Sequence, residues 1–109
     1  MVGEYWFHTD PLQRHIHVGF LFSRLENMDA FLAMSRTAEL RRILEDLRNY
    51  QGGWYRTSPG EYLSLTVEDG CVTAEIHLVD ALPCRMAVGF FRQLVTDYLA
   101  EWDAMLAQG

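Results

Sequence analysis

The alternation of apolar and polar residues is clearest between residues 62 and 79, where two runs flank the dipeptide Asp69-Gly70. Asp-Gly suits a tight two-residue turn, which fixes the residues that lie opposite one another. The apolar face pairs Val67 with Val72, Leu65 with Ala74 and Leu63 with Ile76. The polar face pairs Tyr62 with His77, Ser64 with Glu75, Thr66 with Thr73 and Glu68 with Cys71. The pattern predicts a β-hairpin of residues 62–68 and 71–79 in a single register.

Two further elements are predicted after this hairpin. Residues 80–83 form a connection that contains Pro83, and residues 84–88 return as a short third strand. From about Val88 the apolar period changes to that of a helix. The apolar stripe of this helix consists of Phe91, Leu94, Val95, Tyr98, Leu99, Trp102, Met105 and Leu106.

The N-terminal half predicts a second hairpin and a helical region. Residues 5–7 pair with the alternating residues 15–22 across Asp10-Pro11. Asn27 is expected to cap a helix, and a second apolar run begins at Leu40. Ser35 and Thr37 mark a kink or a restart between these two helical runs. Residues 51–60 contain two Gly-rich or Pro-Gly pairs and are predicted to be a loop, with or without a short strand at its centre.

The element order is therefore ββ-α-βββ-α, which indicates an α+β fold. We expect one antiparallel sheet of about four to five strands with two helices packed on one face. The chain has 109 residues, of which 50% are hydrophobic, so residues 1–109 are expected to form a single domain with one core.

The net charge of −6 arises entirely from the second half of the chain. Residues 1–60 carry seven acids and seven arginines, whereas residues 61–109 carry eight acids and only Arg85 and Arg92. A negative field of this kind disfavours nucleic acid and anionic membranes and favours a basic protein partner. The sequence also offers no long apolar span and no basic leader, so a cytoplasmic location is expected. Cys71 and Cys84 are predicted to be free thiols.

Eleven residues are candidates for binding a protein partner. Trp54, Tyr55 and Arg56 are of the types enriched at the energetic centres of interfaces, although Trp54 could equally fold back onto the core. The acids are expected to gather into one negative patch, although a solvated surface that keeps the domain soluble would use the same residues. These acidic candidates are Glu61, Glu68, Asp69, Glu75, Asp80, Asp97, Glu101 and Asp103.

The histidines suggest an alternative function, as a small enzyme or a ligand-binding or metal-binding domain. His15 and His17 project from one strand face, and Glu75 and His77 share the polar face of the central hairpin. His8 could join the first pair if the register of the N-terminal hairpin allows it. Their spacing matches no recognised ligand set, so we assign no catalytic residue, cofactor or metal site. A self-associating domain, in which residues 84–88 pair with a second copy as a homodimer, is a third possibility.

Three stretches of the sequence carry a resemblance to a known class of proteins. They are MDAFL at residues 28–32, LSLTVEDG at residues 63–70 with its return strand, and FRQLV at residues 91–95 running into YLAEW at residues 98–102. With this layout the chain resembles the small acidic immunity proteins encoded beside bacterial polymorphic and contact-dependent toxins. The resemblance implies a cytoplasmic antitoxin that binds one cognate toxin domain and covers or distorts its active site.

Overall fold

The computed structural model describes residues 4–78 and 80–107 and confirms the α+β fold. Six strands and three α-helices occur in this part of the chain, together with a 3₁₀ turn at Ser23–Leu25. The strands are β1 Tyr5–Asp10, β2 His15–Phe20, β3 Trp54–Thr57, β4 Leu63–Glu68, β5 Cys71–Ile76 and β6 Cys84–Ala87. The helices are α1 Asn27–Met34, α2 Thr37–Arg48 and α3 Val88–Ala107.

The strands form two antiparallel sheets, where a single sheet of four to five strands was expected. β1 and β2 form a separate hairpin, and the other four strands form a sheet in the order β3-β4-β5-β6. The Val18 amide of β2 donates a 2.7 Å hydrogen bond to the carboxylate of Asp29 in α1. A backbone amide on the edge of β2 is therefore paired by a side chain of α1 and not by a neighbouring strand.

Helices α1 and α3 pack between the two sheets. Helix α1 contacts β2 and β5, whereas α3 contacts β1, β5, β6 and α2. Their buried apolar residues form one core with the inner faces of both sheets. Phe91 and Phe31 are almost completely buried at the centre of this core. The Tyr98 hydroxyl, also buried, donates to the Leu32 carbonyl oxygen at 3.3 Å and so joins α3 to α1.

The central hairpin has the predicted register at every residue pair between β4 and β5. Leu63 lies opposite Ile76, and Glu68 lies opposite Cys71. Asp69 and Gly70 both have positive φ, which matches the tight turn expected of Asp-Gly. Strand β5 ends at Ile76, however, so His77 lies in a turn and Val79 lies outside the described residues.

The helical region restarts rather than kinks. Ser35 and Arg36 separate α1 from α2, and the Arg36 amide donates to the Pro59 carbonyl oxygen at 2.9 Å. The expected cap at Asn27 is wrong, because Glu26 is the N-cap of α1 and Asn27 is its first residue. The Asn27 side chain instead donates to the Leu82 carbonyl oxygen at 3.0 Å. Helix α3 begins where predicted. Across residues 4–78 and 80–107, no helix, α3 included, is long and apolar enough to span a membrane.

Candidate protein-interaction surface

The four-stranded sheet has one covered face and one open face. Val67, Val72 and Met86 point to the helices and are buried. Alternate residues point the other way, and their side chains are exposed or half-exposed except for Ser64, which is buried beside His77. We call this second set the open face; it consists of Trp54, Arg56, Thr66, Glu68, Cys71, Thr73, Glu75, Arg85 and Ala87.

Trp54 stands at one end of the open face and does not fold back onto the core. Its side chain is 66% exposed. Its cross-strand partner is Glu68, which is also exposed, so the indole and the carboxylate lie side by side. The structure therefore decides between the two interpretations of Trp54 in favour of exposure.

The loop that carries Trp54 is fixed to the turn of the central hairpin. The Tyr50 hydroxyl donates to the Gly53 carbonyl oxygen at 2.8 Å and accepts from the Gly70 amide at 3.1 Å. The Asp69 amide donates to the same Gly53 oxygen at 3.3 Å. Gly53 has a φ of +88°, a conformation that favours glycine. These bonds hold the backbone beside Trp54 in one position.

Tyr55 and Arg56 lie on opposite faces of β3. Arg56 belongs to the open face and is exposed. Tyr55 points to the covered face, where its hydroxyl donates to the Asp46 carboxylate at 2.7 Å. Burial, followed by this hydrogen bond, raises the pKa of Tyr55 above its ordinary value. Tyr55 therefore ties β3 to α2 and is not available on the same surface as Trp54.

Five of the acidic candidates lie on the open face or at the two ends of the sheet. Glu68 and Glu75 are on the open face, and Asp69 is in the adjoining turn. Glu61 and Asp80 are exposed in the segments at the opposite end of β4 and β5. The end of the sheet that carries Trp54 therefore also carries the carboxylates of Glu68 and Asp69.

The remaining three acids lie on α3, which packs on the covered face of the sheet. Asp97 accepts hydrogen bonds from the Tyr5 hydroxyl and from Gln93, the latter at 2.9 Å. Asp103 forms a 2.7 Å ion pair with Arg41. Glu101 is half-exposed. The expectation of one contiguous patch is wrong, because α3 and the open face are on different sides of the sheet.

Ion pairing differs between the two halves of the chain. Glu39 and Asp46 both pair with Arg42, and Glu45 pairs with Arg48, at 2.9 to 3.2 Å. Of the eight acids after residue 60, Asp103 alone has an arginine partner within residues 4–78 and 80–107. Their negative charge is therefore largely uncompensated by local contacts.

The histidines do not form the shared site that was considered. The rings of His15 and His17 are 4.1 Å apart, and His8 lies opposite His17 on the β1–β2 hairpin. His77 lies in the turn after β5 of the other sheet, where its Nε2 is 2.8 Å from the Ser64 hydroxyl. In the part of the chain that the structure describes, no three His, Cys, Asp or Glu side chains are placed to hold a metal ion.

Arg85 and Tyr50 were not among the sequence candidates for this region. Arg85 belongs to the open face and is exposed, and Tyr50 fixes the loop beneath Trp54. Arg85 could have been found by extending the hairpin register to the predicted third strand. The role of Tyr50 could not, because it depends on a hydroxyl contact between two loops that no periodicity encodes.

The possible self-association edge, β6, is partly occupied. The Arg24 guanidinium lies 3.5 Å from the Arg85 carbonyl oxygen, and the Cys84 thiol contacts the Arg24 carbonyl oxygen at 3.7 Å. The 3₁₀ turn therefore runs beside this edge strand and reduces the backbone available to a second copy.

Comparison with protein-family models, with curated proteins and with solved structures finds no significant match to this chain. The argument for its function therefore rests on the geometry and charge of the surface itself.

Proposed function

We propose that this chain is a cytoplasmic protein-binding module, an immunity protein that binds a cognate toxin domain and blocks its active site. The observation that carries the proposal is the exposure of Trp54 beside Glu68 and the Asp69 turn. The end of the sheet that carries these three residues is called the Trp54 end.

The Trp54 end combines the properties of a binding anchor. A tryptophan offers about 150–250 Å² of contact area and is among the residues that most often dominate interface energies. The contacts of Tyr50 and Asp69 with Gly53 hold the adjoining loop before a partner arrives. A partner that buries the indole therefore has less loop entropy to overcome.

The charges favour a basic partner. Glu68, Asp69 and Glu75 have no ion pair among the described residues, so a cationic surface can approach them without breaking an internal contact. Such acids mainly accelerate association, whereas a buried aromatic anchor mainly slows dissociation. A nucleic acid would meet repulsion from the same groups.

The toxin assignment is supported by the resemblance to immunity proteins and by electrostatics. Toxins that attack nucleic acid are commonly basic near their active clefts. Carboxylates held on a rigid sheet can occupy positions that phosphates would otherwise take. The Trp54 end provides such carboxylates together with an anchor.

Co-expression with the product of the adjacent gene tests this function. We expect the chain to restore growth of cells that make the adjacent product and to co-purify with it. The proposal is wrong if the adjacent gene product arrests growth and the chain does not relieve the arrest. It is also wrong if the product is harmless alone and forms no complex with the chain.

A further inference from the structure

Strand β3 forms one edge of the four-stranded sheet, and half of its backbone groups face away from β4. In an antiparallel pair, every second residue exchanges its hydrogen bonds with the neighbouring strand. The bond from the Asp69 amide to the Gly53 carbonyl oxygen places Gly53 in this bonded set, and Tyr55 follows two residues later. The amides and carbonyl oxygens of Trp54 and Arg56 therefore point outward from the edge.

These outward groups are accessible to a further strand. Among the residues that the structure describes, none forms a hydrogen bond with the backbone of Trp54 or Arg56. Both side chains are exposed, and a Cβ on Gly52 or Gly53 would meet no atom within 4 Å. The opposite edge of the sheet is less accessible, because the 3₁₀ turn runs beside β6. An unpaired edge such as β3 is a template for another strand.

The outward groups of β3 are complementary to themselves under two-fold symmetry. When two copies of β3 pair antiparallel with Tyr55 on the axis, Trp54 of each copy lies opposite Arg56 of the other. Each such pair exchanges both of its backbone hydrogen bonds. A register centred on Trp54 or on Arg56 would instead place one outward residue opposite a loop, because β3 spans only Trp54–Thr57. The edge therefore favours a single symmetric register.

The same register brings opposite charges to the two sides of the Trp54 indole. Glu68 lies beside Trp54 within one copy, and Arg56 of the second copy lies on the other side. In the part of the chain that the structure describes, the side chains of Glu68 and Arg56 form no ion pair, so neither must leave an internal contact. A guanidinium over a tryptophan ring is attracted by the π-electrons of the ring. A second copy of this chain thus has the charge that the Trp54–Glu68 pair favours.

We infer that two copies of this chain pair through β3 and form one continuous sheet from the four strands of each copy. The contact is short, so we expect a dissociation constant at or below about 200 µM, in the range of transient interfaces. The inference goes beyond the proposed immunity function and does not rest on it, because the two copies pair without a toxin. A toxin that buries Trp54 displaces the second copy, so the two binding events exclude each other.

The first test uses the unsubstituted full chain. Sedimentation equilibrium from about 5 µM to about 2 mM should show the average mass rising from one chain towards two. Over the same range, exchange of the Trp54 and Arg56 amides, measured by NMR, should slow about fivefold. The amides of Arg85 and Ala87, which point outward from β6, should exchange at an unchanged rate. The mass of a single chain throughout, or slower exchange at β6 instead of β3, would overturn the inference.

Matched variants test the register. Arg56→Gln and Trp54→Ala should each weaken self-association about tenfold, because the symmetry removes the contact between guanidinium and indole twice. Arg85→Gln removes an exposed arginine from the same open face at the other edge and should change self-association less than about twofold. Undiminished self-association in Arg56→Gln and Trp54→Ala, or an equal loss in Arg85→Gln, would overturn the inference.

Discussion

At the scale of single residues, two glycines have opposite requirements for space. A Cβ on Gly60 would lie 2.7 Å from the Met34 carbonyl oxygen, whereas a Cβ on Gly89 would meet no atom within 4 Å. Gly60 therefore permits a close backbone approach between the loop after β3 and the end of α1. Gly89 lies in the first turn of α3 and has no comparable role.

We therefore expect the two alanine substitutions to differ in sign. Gly60→Ala should lower the free energy of unfolding by about 1–3 kcal/mol, because the backbone of α1 must shift. Gly89→Ala should raise it by about 0.5–1 kcal/mol, because alanine has less conformational entropy to lose in a helix. Urea denaturation measures both. Similar changes in the two variants would contradict the close approach at Gly60.

Tyr5 provides a second prediction at this scale. Burial, followed by the hydrogen bond to Asp97, raises the pKa of Tyr5 above its ordinary value of 10.0. The folded state thus favours the neutral phenol. Its contribution to stability is present below pH 10 and is lost as the pH rises toward the elevated pKa. Tyr5→Phe should lower stability by about 0.5–1.5 kcal/mol at neutral pH and reduce the loss above about pH 10.

The control for Tyr5 is Tyr62→Phe, which alters an exposed tyrosine. Urea denaturation from about pH 8 to about pH 12 should give the same alkaline loss in this control as in the unsubstituted chain. Burial also raises the pKa values of Tyr55 and Tyr98. Part of the loss of stability at alkaline pH should therefore remain in Tyr5→Phe. An unchanged profile in Tyr5→Phe would exclude the proposed linkage.

At the scale of elements, Tyr50 joins the loop before β3 to the turn between β4 and β5. The Tyr50 hydroxyl is the acceptor for the Gly70 amide, so Tyr50→Phe leaves that amide without its partner. We expect hydrogen exchange at Gly70 to accelerate by about tenfold. Tyr62→Phe should leave it unchanged. If the Gly70 amide exchanges as slowly in Tyr50→Phe as in the unsubstituted chain, other contacts hold the loop.

The sequence predicted elements better than their assembly. Local patterns determined the register from Leu63–Ile76 to Glu68–Cys71, because the turn and the apolar face agree. They also predicted the start of α3 at Val88. The division into two sheets was not predicted; the hydrogen bond from the Val18 amide of β2 to Asp29 of α1 is a contact between separate elements that periodicity does not encode. The sequence predicted a loop at residues 51–60 with or without a short central strand; the structure has strand β3 there, beginning at Trp54, and the exposure of Trp54 was left undecided.

At the scale of the whole molecule, the charge is distributed over two separate surfaces. Glu68 and Glu75 lie on the open face, whereas Asp97, Glu101 and Asp103 lie on α3. A basic partner that docks on the open face is attracted directly by the first group. The second group contributes only at longer range, where salt screens it over about 8 Å at physiological ionic strength.

Glu68→Gln combined with Glu75→Gln should therefore slow association with the proposed toxin partner by about three- to tenfold at low salt. The dissociation rate should change little, and the difference in association rate should shrink as salt is added. Stopped-flow mixing measures these rates. Glu26→Gln, which alters an exposed acid of the first half, is the matched control. If Glu26→Gln slows association as much per charge removed, the association rate depends on the net charge alone and not on the position of Glu68 and Glu75.

The central claim, that the Trp54 end docks on a toxin, is tested most directly by comparing two exposed tryptophans. Trp54 is 66% exposed on β3, and Trp6 is 55% exposed on β1 of the other sheet. The measurement is the dissociation rate of the complex with the adjacent gene product for Trp54→Ala and Trp6→Ala. The account predicts dissociation at least about thirtyfold faster for Trp54→Ala and nearly unchanged for Trp6→Ala. Unchanged dissociation in Trp54→Ala, or an equal increase in both variants, would contradict it.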